Sequence, residues 1–548
     1  MKNYVDLILP SESADNYYMT KQKDQVDGFI YLDPEWYKKL LDPNTFYILG
    51  TKGSGKTLYA AYMCAGVRNN TISRSHTIDV SDYGKLIAMK VSNHLDFTDY
   101  LTMWKVILLQ KFLLGIQAKE ISFWGRDKNF QDIKDTISEY FGCNVSEDVF
   151  NPTIVIDSCG KQTEVTNYLR SQLTSGITVQ GMTQSGLVEG SDQEKTQDST
   201  SVRKEHTTMT YTDTWLRSIN AFIETIEKIT FKNNHYLFID GLDVRPKDID
   251  SKEYSECIGA LVRAVYDINT KILGNLERKD KYDFKIIALT RTDIFLNSYL
   301  VNVTSCISDN CVELDWTYSN EKEFKYSNLY RMMNRVLGWD GESAAKPVEH
   351  YFSFKINTIS SRPVSAAMFI QRQSRLRPRD VVVLLRKIQD ECRRRKCNNP
   401  NSEIFMAQTF ESSYSNYYTD QIKSEMVFQY SFDEIKEIFS ILKMMRADSF
   451  TEEEFCTAYK KYIEHNTDFV RLFSSYRAVL DKLYSIDLIG WRESYEGKPK
   501  IHWHYREVKA IDESYCLPWE QMECANDVRI LIHRGASKNI LGTIKYHP

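Results

Sequence analysis

The stretch that decides the fold is TFYILGTKGSGKTLYAAYM, residues 45–63. It starts with a short apolar and aromatic run, passes through glycines and continues with apolar residues at helical spacing. This order predicts a strand, a tight loop and a helix. Within it, Gly50-x4-Gly55-Lys56-Thr57 fits the phosphate-binding pattern G-x-x-x-x-G-K-[ST]. We therefore expect an α/β P-loop NTPase core, a parallel sheet flanked by helices; the alternative is a glycine-rich turn without a ligand.

Each residue type in this loop has a chemical reason. Gly53 and Gly55 allow the backbone to wrap closely around a phosphate and to present N–H groups and a helix N-terminus to it. Lys56 is expected to reach the β- and γ-phosphates, and the Thr57 hydroxyl to hold Mg²⁺. ATP and Mg²⁺ are therefore the predicted ligands. The predicted nucleotide-binding residues of the loop are Gly50, Thr51, Lys52, Gly53, Ser54, Gly55, Lys56 and Thr57.

A second strand about 180 residues later ends in acidic residues. The run HYLFIDGLD, residues 235–243, is continuously apolar before two carboxylates, as is typical of a buried parallel strand. We expect Asp240 to hold Mg²⁺, and Asp243 to polarise the attacking water or to support the metal shell. The alternative for Asp243 is an ordinary loop or N-cap acid.

A third apolar strand, FKIIALT at residues 284–290, leads directly into Arg291. In a sheet of this class, the carboxyl ends of the strands form the ligand-binding edge. Arg291 is therefore predicted to contact the γ-phosphate and completes a catalytic set with Lys56, Asp240 and Asp243. The alternative is that Arg291 only pairs with a neighbouring acid.

Three segments together resemble a known family. GTKGSGKT (50–57), FIDGLD (238–243) and IALTR (287–291) look like the Walker A, Walker B and sensor-1 motifs of STAND-type P-loop ATPases, the AAA+-related class that includes the NACHT proteins. The resemblance implies a molecular switch that oligomerises or controls an effector protein such as a nuclease. Many bacterial members sit in phage-defence loci, which implies an antiviral role. The family usually has Glu where this chain has Val244, which implies slow hydrolysis.

A later segment, RLRPRDVVVLLRKI at residues 375–388, has Pro378 and Asp380 where a helix would start. It is similar to the lid, or sensor-2, segment of bacterial ATPases of this group. The resemblance implies that Arg377 or Arg379 reaches across to the bound nucleotide. A structural arginine paired near Asp380 is the alternative.

The length of 548 residues predicts three to four domains at roughly 150 residues each. Helices followed by two short strands after residue 431 resemble a winged helix, which in this family usually packs on the nucleotide domain. The predicted order is a lead-in that packs on the core (1–45), the ATPase core (46–310) with an insertion at about 171–212, a helical lid (311–430), a winged-helix domain (431–510) and a tail (511–548).

The charge distribution leaves a second function open. The chain has 70 basic and 74 acidic side chains, a net charge of −4, which excludes a uniformly basic nucleic-acid-binding protein. Residues 371–396, however, contain ten basic and three acidic side chains, a net charge of +7. These cations either contact DNA phosphates or complement a helix C-terminus. The alternative function is an origin-recognition-type DNA-binding ATPase; a metabolic kinase is a third. The candidate DNA contacts are Arg393, Arg394, Arg395, Lys396, Lys498 and Lys500.

The remaining composition points to a cytoplasmic chain. No apolar run approaches the roughly 20 residues of a membrane helix, and the N-terminus lacks the apolar stretch of a signal peptide. Eleven cysteines are scattered at low density, which favours reduced thiols. The C-x4-C pairs Cys306/Cys311 and Cys392/Cys397 lack the second pair that a zinc site needs.

Overall fold

The computed structural model describes most of the chain outside residues 79–96 and 122–215. The described residues are 2–19, 25–78, 97–121, 216, 219–220, 222–224, 226–227, 229–243, 245, 251–278, 280–298, 300, 302–318, 321–341, 346–357, 363–495, 498–507, 517–524 and 528–542. The insertion predicted at about 171–212 and the unusual Val244 both lie outside them.

The strands form three sheets, and helices surround the largest. The strands are β1 (Tyr47–Leu49), β2 (Thr71–Thr77), β3 (Asn234–Asp240), β4 (Phe284–Thr290), β5 (Cys311–Glu313), β6 (Lys355–Ile356), β7 (Val364–Ser365), β8 (Ser449–Phe450), β9 (Ile489–Tyr495), β10 (Lys498–His502) and β11 (Arg529–Ile532). The helices before residue 320 are α1 (Asn16–Met19), α2 (Val26–Phe29), α3 (Pro34–Leu41), α4 (Lys56–Cys64), α5 (Phe97–Gly115), α6 (Ser251–Asp267), α7 (Thr292–Leu296) and α8 (Val303–Asn310).

The remaining helices belong to the second half of the chain. They are α9 (Asn328–Val336), α10 (Pro347–Tyr351), α11 (Ala366–Gln373), α12 (Pro378–Arg394), α13 (Ser402–Phe405), α14 (Gln408–Met426), α15 (Phe432–Lys443), α16 (Glu452–His465), α17 (Phe469–Leu472), α18 (Tyr476–Ser485), α19 (His504–Glu507), α20 (Trp519–Cys524) and α21 (Arg534–Leu541). Among the described residues, no helix combines the length and the apolar character needed to cross a membrane.

The largest sheet has five parallel strands in the order β2-β3-β4-β1-β5. Alternate residues of each strand face opposite sides. In β3, Leu237 and Ile239 pack in a core with α5 and α6, whereas Tyr236 and Phe238 pack in a core with α3 and α4. Both faces are covered, which explains why these strands are continuously apolar. This sheet with its flanking helices is the α/β core that the sequence predicts.

The strand order determines which residues meet at the ligand-binding edge. β4 lies between β1 and β3, and all three run in the same direction. The residues at the carboxyl ends of these strands, Gly50, Arg291 and Asp240, therefore lie side by side. Segments that lie far apart in the chain thus contribute to one site.

The described part of the N-terminal lead-in contacts the helical region as well as the core. Its first turn, Tyr4–Asp6, lies on α12: the Tyr4 hydroxyl donates to the carbonyl of Leu385 at 2.8 Å, and the Gln389 side chain donates to the carbonyl of Tyr4 at 2.9 Å. Only later does the lead-in reach the sheet, where Leu40 of α3 is fully buried against the core. The lead-in therefore bridges the core and the helical region.

The C-terminal residues form part of a second sheet of order β10-β9-β11-β8, which is antiparallel throughout. The β9–β10 hairpin lies where the sequence predicts two short strands. The apolar stretch of the supposed tail supplies β11, which pairs with both β9 and β8. Next, α21 packs on α14, with the Asn539 N–H donating to the Ser415 hydroxyl at 2.8 Å. The tail is therefore an integral part of the fold.

Candidate functional site

The glycine-rich loop has the backbone conformation that only glycine adopts without strain. Gly53 has φ 85° and Gly55 has φ 102°, both in the left-handed region. A Cβ atom at Gly53 would also lie 3.1 Å from the Cβ of Arg379. Helix α4 begins immediately after Gly55, at Lys56. The loop thus directs a helix N-terminus towards the cavity beside it, which is a favourable position for an anion.

The Lys56 side chain folds back over the loop. Its ammonium group donates to the carbonyls of Gly50 at 2.8 Å and Thr51 at 3.0 Å. Burial lowers the pKa of Lys56 to about 8, while Asp243 and Asp240 oppose the shift. The amine is therefore already positioned where loop carbonyls and a phosphate would compete for it.

Thr57 and Asp240 meet as the sequence predicts for a metal site. The Thr57 hydroxyl lies 2.7 Å from Oδ2 of Asp240, whose Oδ1 accepts from the N–H of Gly241 at 2.8 Å. Burial raises the pKa of Asp240, so a nearby cation would favour its charged form. A hydroxyl and one carboxylate are hard oxygen donors, and Mg²⁺ is typically held by one or two carboxylates together with nucleotide phosphates. These residues fit Mg²⁺.

The turn after β3 fixes the direction of Asp240. Gly241 has φ 83°, and a Cβ atom there would lie 2.7 Å from the carbonyl oxygen of Ile78. A side chain at this position would therefore force β2 and β3 apart. Asp243, two residues on, lines the same cavity as Lys56 and Asp240, within reach of a ligand bound there.

Arg291 also reaches the site but already has partners. Its Nε donates to Oδ1 of Asp293 at 2.8 Å, its Nη2 also contacts Asp293, and its Nη1 donates to the carbonyl of Glu425 at 3.3 Å. This is the acid pairing that sequence analysis leaves as the alternative. Arg291 also lines the cavity that contains Lys56 and Asp240, so a γ-phosphate bound there would have to compete with Asp293 for its guanidinium group.

The two candidate lid arginines lie in different surroundings. Arg379 lines the cavity with Gly53 and Lys56, and among the described residues its guanidinium has no hydrogen-bond or ion-pair partner. Arg377 is buried and points elsewhere. Its Nη1 contacts Glu425 at 2.5 Å and the carbonyl of Lys52 at 3.4 Å, and its Nη2 contacts Asp487 at 3.0 Å. Of these two arginines, only Arg379 lines this cavity.

The other loop residues make supporting contacts. The ammonium group of Lys52 donates to the Ser424 hydroxyl at 3.0 Å. The carbonyl of Ser54 accepts from the indole N–H of Trp316 at 2.8 Å. Thr51 is exposed. These contacts attach the loop to α14 and to the segment after β5.

The cavity itself has a volume of about 290 Å³ and has a polar end and an apolar end. The polar end is the loop with Asp240 and Asp243. The apolar end, which sequence analysis does not identify, comes from the lead-in and the helical region. Its residues are Pro10, Tyr17, Phe29, Tyr31, Met332, Val336 and Val382. The only sequence signal for this wall is the aromatic composition of the lead-in. An apolar wall of this kind suits the apolar part of a small-molecule ligand.

The basic segment at the end of α12 is mostly paired within the protein. Arg393 donates to the carbonyl of Val5 at 2.8 Å, and Arg394 and Arg395 both bind Glu391, at 2.8 Å and 2.7 Å. Arg394 lowers the pKa of Glu391 to about 2. Lys396 is exposed. In the hairpin, Lys498 begins β10, and Lys500 lies 3.9 Å from Glu493.

Comparisons with known proteins add little to this geometry. No protein-family model and no curated protein matches the chain. Similar solved structures include two point variants of RuvB from Thermotoga maritima. One is 16% identical, covers 50% of this chain and 71% of its own, and has a TM-score of 0.21; the other is 16% identical, covers 52% and 71%, and has a TM-score of 0.22. Scores this low carry no argument, so the α/β assignment rests on the sheet and the loop.

Proposed function

We propose that this chain is an ATP-binding, slowly hydrolysing switch of the STAND type. The observation that carries the proposal is the 2.7 Å contact between Thr57 and Asp240 beside Lys56, at the carboxyl edge of a parallel sheet. These three residues come from two segments 183 residues apart in sequence. All three line one cavity, which is the arrangement that binding of a nucleoside triphosphate requires.

The residues divide the work of binding and hydrolysis. Loop N–H groups and Lys56 bind the phosphates, and Arg379 approaches them from the lid. Thr57 and Asp240 would hold Mg²⁺, which supplies neutralisation of the developing phosphate charge. Asp243 is the remaining carboxylate at the cavity and orients the attacking water. With Val244 where the family usually has Glu, Asp243 acts alone, and turnover is slow.

The contacts of Arg377 support a switch rather than a motor. This buried side chain joins the loop, through Lys52, to Glu425 of α14 and to Asp487 beside β9. A change in the loop on phosphate binding or release would therefore alter the contacts of Arg377 with α14 and with the turn before β9. Self-assembly, an effector partner and an antiviral role follow from the family resemblance. Mass measurement with and without ATP, and the genes beside this one, test them.

The DNA-binding alternative gains no support from the basic segment, because the arginines at positions 393–395 already bind Val5 and Glu391. Phosphate contacts would have to replace these internal bonds. The hairpin lysines remain as candidate contacts.

The test of the nucleotide site is Lys56→Ala, with Lys38→Ala as the control, because Lys38 is exposed on α3 of the same core. Loss of a buried, charge-assisted phosphate contact is expected to weaken ATP binding by tenfold to a hundredfold, about 1.4–3 kcal/mol. Titration with a fluorescent ATP analogue and Mg²⁺ measures it. Equal affinity in Lys56→Ala and Lys38→Ala would overturn the assignment.

A further inference from the structure

Helix α12 ends in a turn that has a cysteine at each end. The N–H of Cys397 donates to the carbonyl of Cys392 at 3.0 Å, and the N–H of Lys396 donates to the carbonyl of Arg393 at 3.1 Å. Lys396 has φ 56°, in the left-handed region. These two hydrogen bonds and this conformation define a Schellman motif, in which the side chains of the two end residues often meet. The two cysteines occupy these end positions.

The two thiols are in contact within this turn. Both cysteines are free. The Sγ atom of Cys397 lies 3.6 Å from the carbonyl oxygen of Cys392, and the two thiols share a hydrogen bond. Burial, together with Cys397, raises the pKa of Cys392, so this thiol stays protonated. The two sulfur atoms are therefore neighbours, as formation of a disulfide requires.

The two thiols differ in their access to solvent. Cys392 is fully buried, whereas Cys397 is half-buried. Another pair with the same spacing, Cys306 and Cys311, is buried at both positions. A small oxidant can therefore reach Cys397 from solvent, and Cys392 is placed to react with the product.

We propose that Cys392 and Cys397 form a redox-active pair that hydrogen peroxide converts into a disulfide. The thiolate form of Cys397 attacks one peroxide oxygen and breaks the O–O bond. This step forms a sulfenic acid and releases hydroxide, which regains the thiol proton as water. Cys392 then attacks the sulfenic sulfur: the S–S bond forms, the S–O bond breaks, and the hydroxyl leaves as water with the proton of Cys392. Two thiols and one peroxide thus give one disulfide and two water molecules.

The disulfide would fix the part of the chain that holds the start of the lead-in. The two residues after Cys397 both bind it. The N–H of Val5 donates to the carbonyl of Asn398 at 3.3 Å, and the N–H of Tyr4 donates to the side-chain oxygen of Asn399 at 3.0 Å. A disulfide keeps the left-handed turn closed and therefore stabilises these contacts.

The lead-in carries this effect towards the nucleotide cavity. Helix α12 also holds its next carbonyls: Gln389 donates to Leu7 at 2.8 Å, and Arg386 donates to Pro10 at 3.1 Å. Pro10 lines the cavity that contains Lys56. The oxidised state therefore holds one wall of that cavity in place, whichever ligand the cavity takes.

Peptide mapping of the full chain after brief exposure to hydrogen peroxide tests the proposal. Trypsin cleaves at the four basic residues between the two cysteines, so the disulfide appears as peptides 388–393 and 397–423 joined together. The wild type is expected to give the joined peptides, and dithiothreitol is expected to separate them. Cys397→Ser should not give them. Cys456→Ser is the matched control and should behave like the wild type, because Cys456 is another half-buried cysteine, on α16.

Hydrogen–deuterium exchange of residues 3–10 tests the effect on the lead-in. Oxidation is expected to slow this exchange by at least about threefold in the wild type, because exchange reports local opening, and to leave it unchanged in Cys397→Ser. Absence of the joined peptides in the wild type overturns the redox pair, and joined peptides without slower exchange overturn its effect on the lead-in. If Cys397→Ser does not fold, as judged by its thermal midpoint, Cys397→Ala replaces it. Neither measurement involves ATP, so failure of the nucleotide assignment is distinguishable from failure of this proposal.

Discussion

Arg377 and Arg379 are two residues apart, yet their surroundings predict different consequences of replacement. Arg379→Ala removes a cation that lines the nucleotide cavity without an internal partner, so ATP binding is expected to weaken about tenfold with little change in stability. Arg377→Ala removes the arginine that pairs with both buried acids, and leaves Glu425 with Arg375 and Asp487 with the N–H of Tyr505. We expect it to lower the free energy of unfolding by about 3–5 kcal/mol. Nucleotide titration measures the affinity of both variants, and thermal melting measures their stability. A destabilised Arg379→Ala together with a stable Arg377→Ala that binds ATP weakly would refute this division of roles.

The sequence predicts the pair of arginines but not which one meets the nucleotide. The helix start at Pro378 is a local signal, and it places both side chains near the domain boundary. The choice between them depends on Glu425 and Asp487, which are 48 and 110 residues away from Arg377. Charge pairs at such separations leave no local pattern. The contact between Thr57 and Asp240 was predictable because each residue sits in a motif of its own.

His235 gives the protein a predictable acid sensitivity. The ring is buried in β3 beside Phe231 and Phe284, and burial together with Arg74 and Arg278 lowers its pKa to about 3. Glu120 is 3.9 Å away but is engaged by Arg74. The unfolded chain binds a proton near pH 6.5, whereas the folded chain does not. Stability is therefore complete above pH 6.5 and falls as the pH approaches 3, by about 1.4 kcal/mol at pH 5.5.

Thermal midpoints between pH 7 and pH 5 check this prediction. In His235→Phe, which replaces the ring by one that suits its aromatic neighbours, the midpoint should fall less steeply with acidification than in the wild type. Part of the slope remains, because burial also lowers the pKa of His533 to about 3. His465→Phe is the control, since His465 is exposed on α16. Identical slopes for His235→Phe and the wild type would show that His235 is not the source.

At the scale of an element, α12 decides between the two candidate functions. Its C-terminal arginines bind Val5 and Glu391, so replacing residues 393–396 by Gln should leave the salt dependence of duplex DNA binding unchanged. If these four cations contacted phosphates, the slope of log K against log salt would decrease by about 3.6. Lys498→Gln with Lys500→Gln is the comparison variant in the hairpin. A decrease of more than about 1 in the α12 variant would favour the DNA-binding function.

Among the strands, predictability depends on burial and on length. β3 and β4 are buried on both faces and are therefore visible as continuous apolar runs. β8 has two residues, and β11 pairs with partners that lie tens of residues earlier, at Phe450 and Trp491. Its apolar stretch is visible in the sequence, but its pairing is not. The sequence therefore predicts the hairpin but not the strand that joins it to β8.

At the scale of the whole molecule, the helices after residue 320 and the second sheet (β8–β11) share one apolar core. It extends from Tyr4 and Met332 through α12 and α14 to Ile530 and Ile540. Met332 also lines the nucleotide cavity. The wall of the nucleotide cavity and the end of the chain therefore depend on the same packing, although more than 200 residues separate them.

Removal of residues 528–548 should consequently affect both stability and nucleotide binding. The truncation deletes β11 from between β9 and β8, and it removes the buried Ile530, Ile532 and Ile540. At about 2 kcal/mol per buried side chain, their loss costs about 6 kcal/mol. We expect a lower thermal midpoint and weaker ATP binding, because the core that supports Met332 loosens. Removal of residues 543–548 alone is the control. A truncated chain that melts and binds ATP like the wild type would show that the nucleotide cavity is independent of the C-terminal packing.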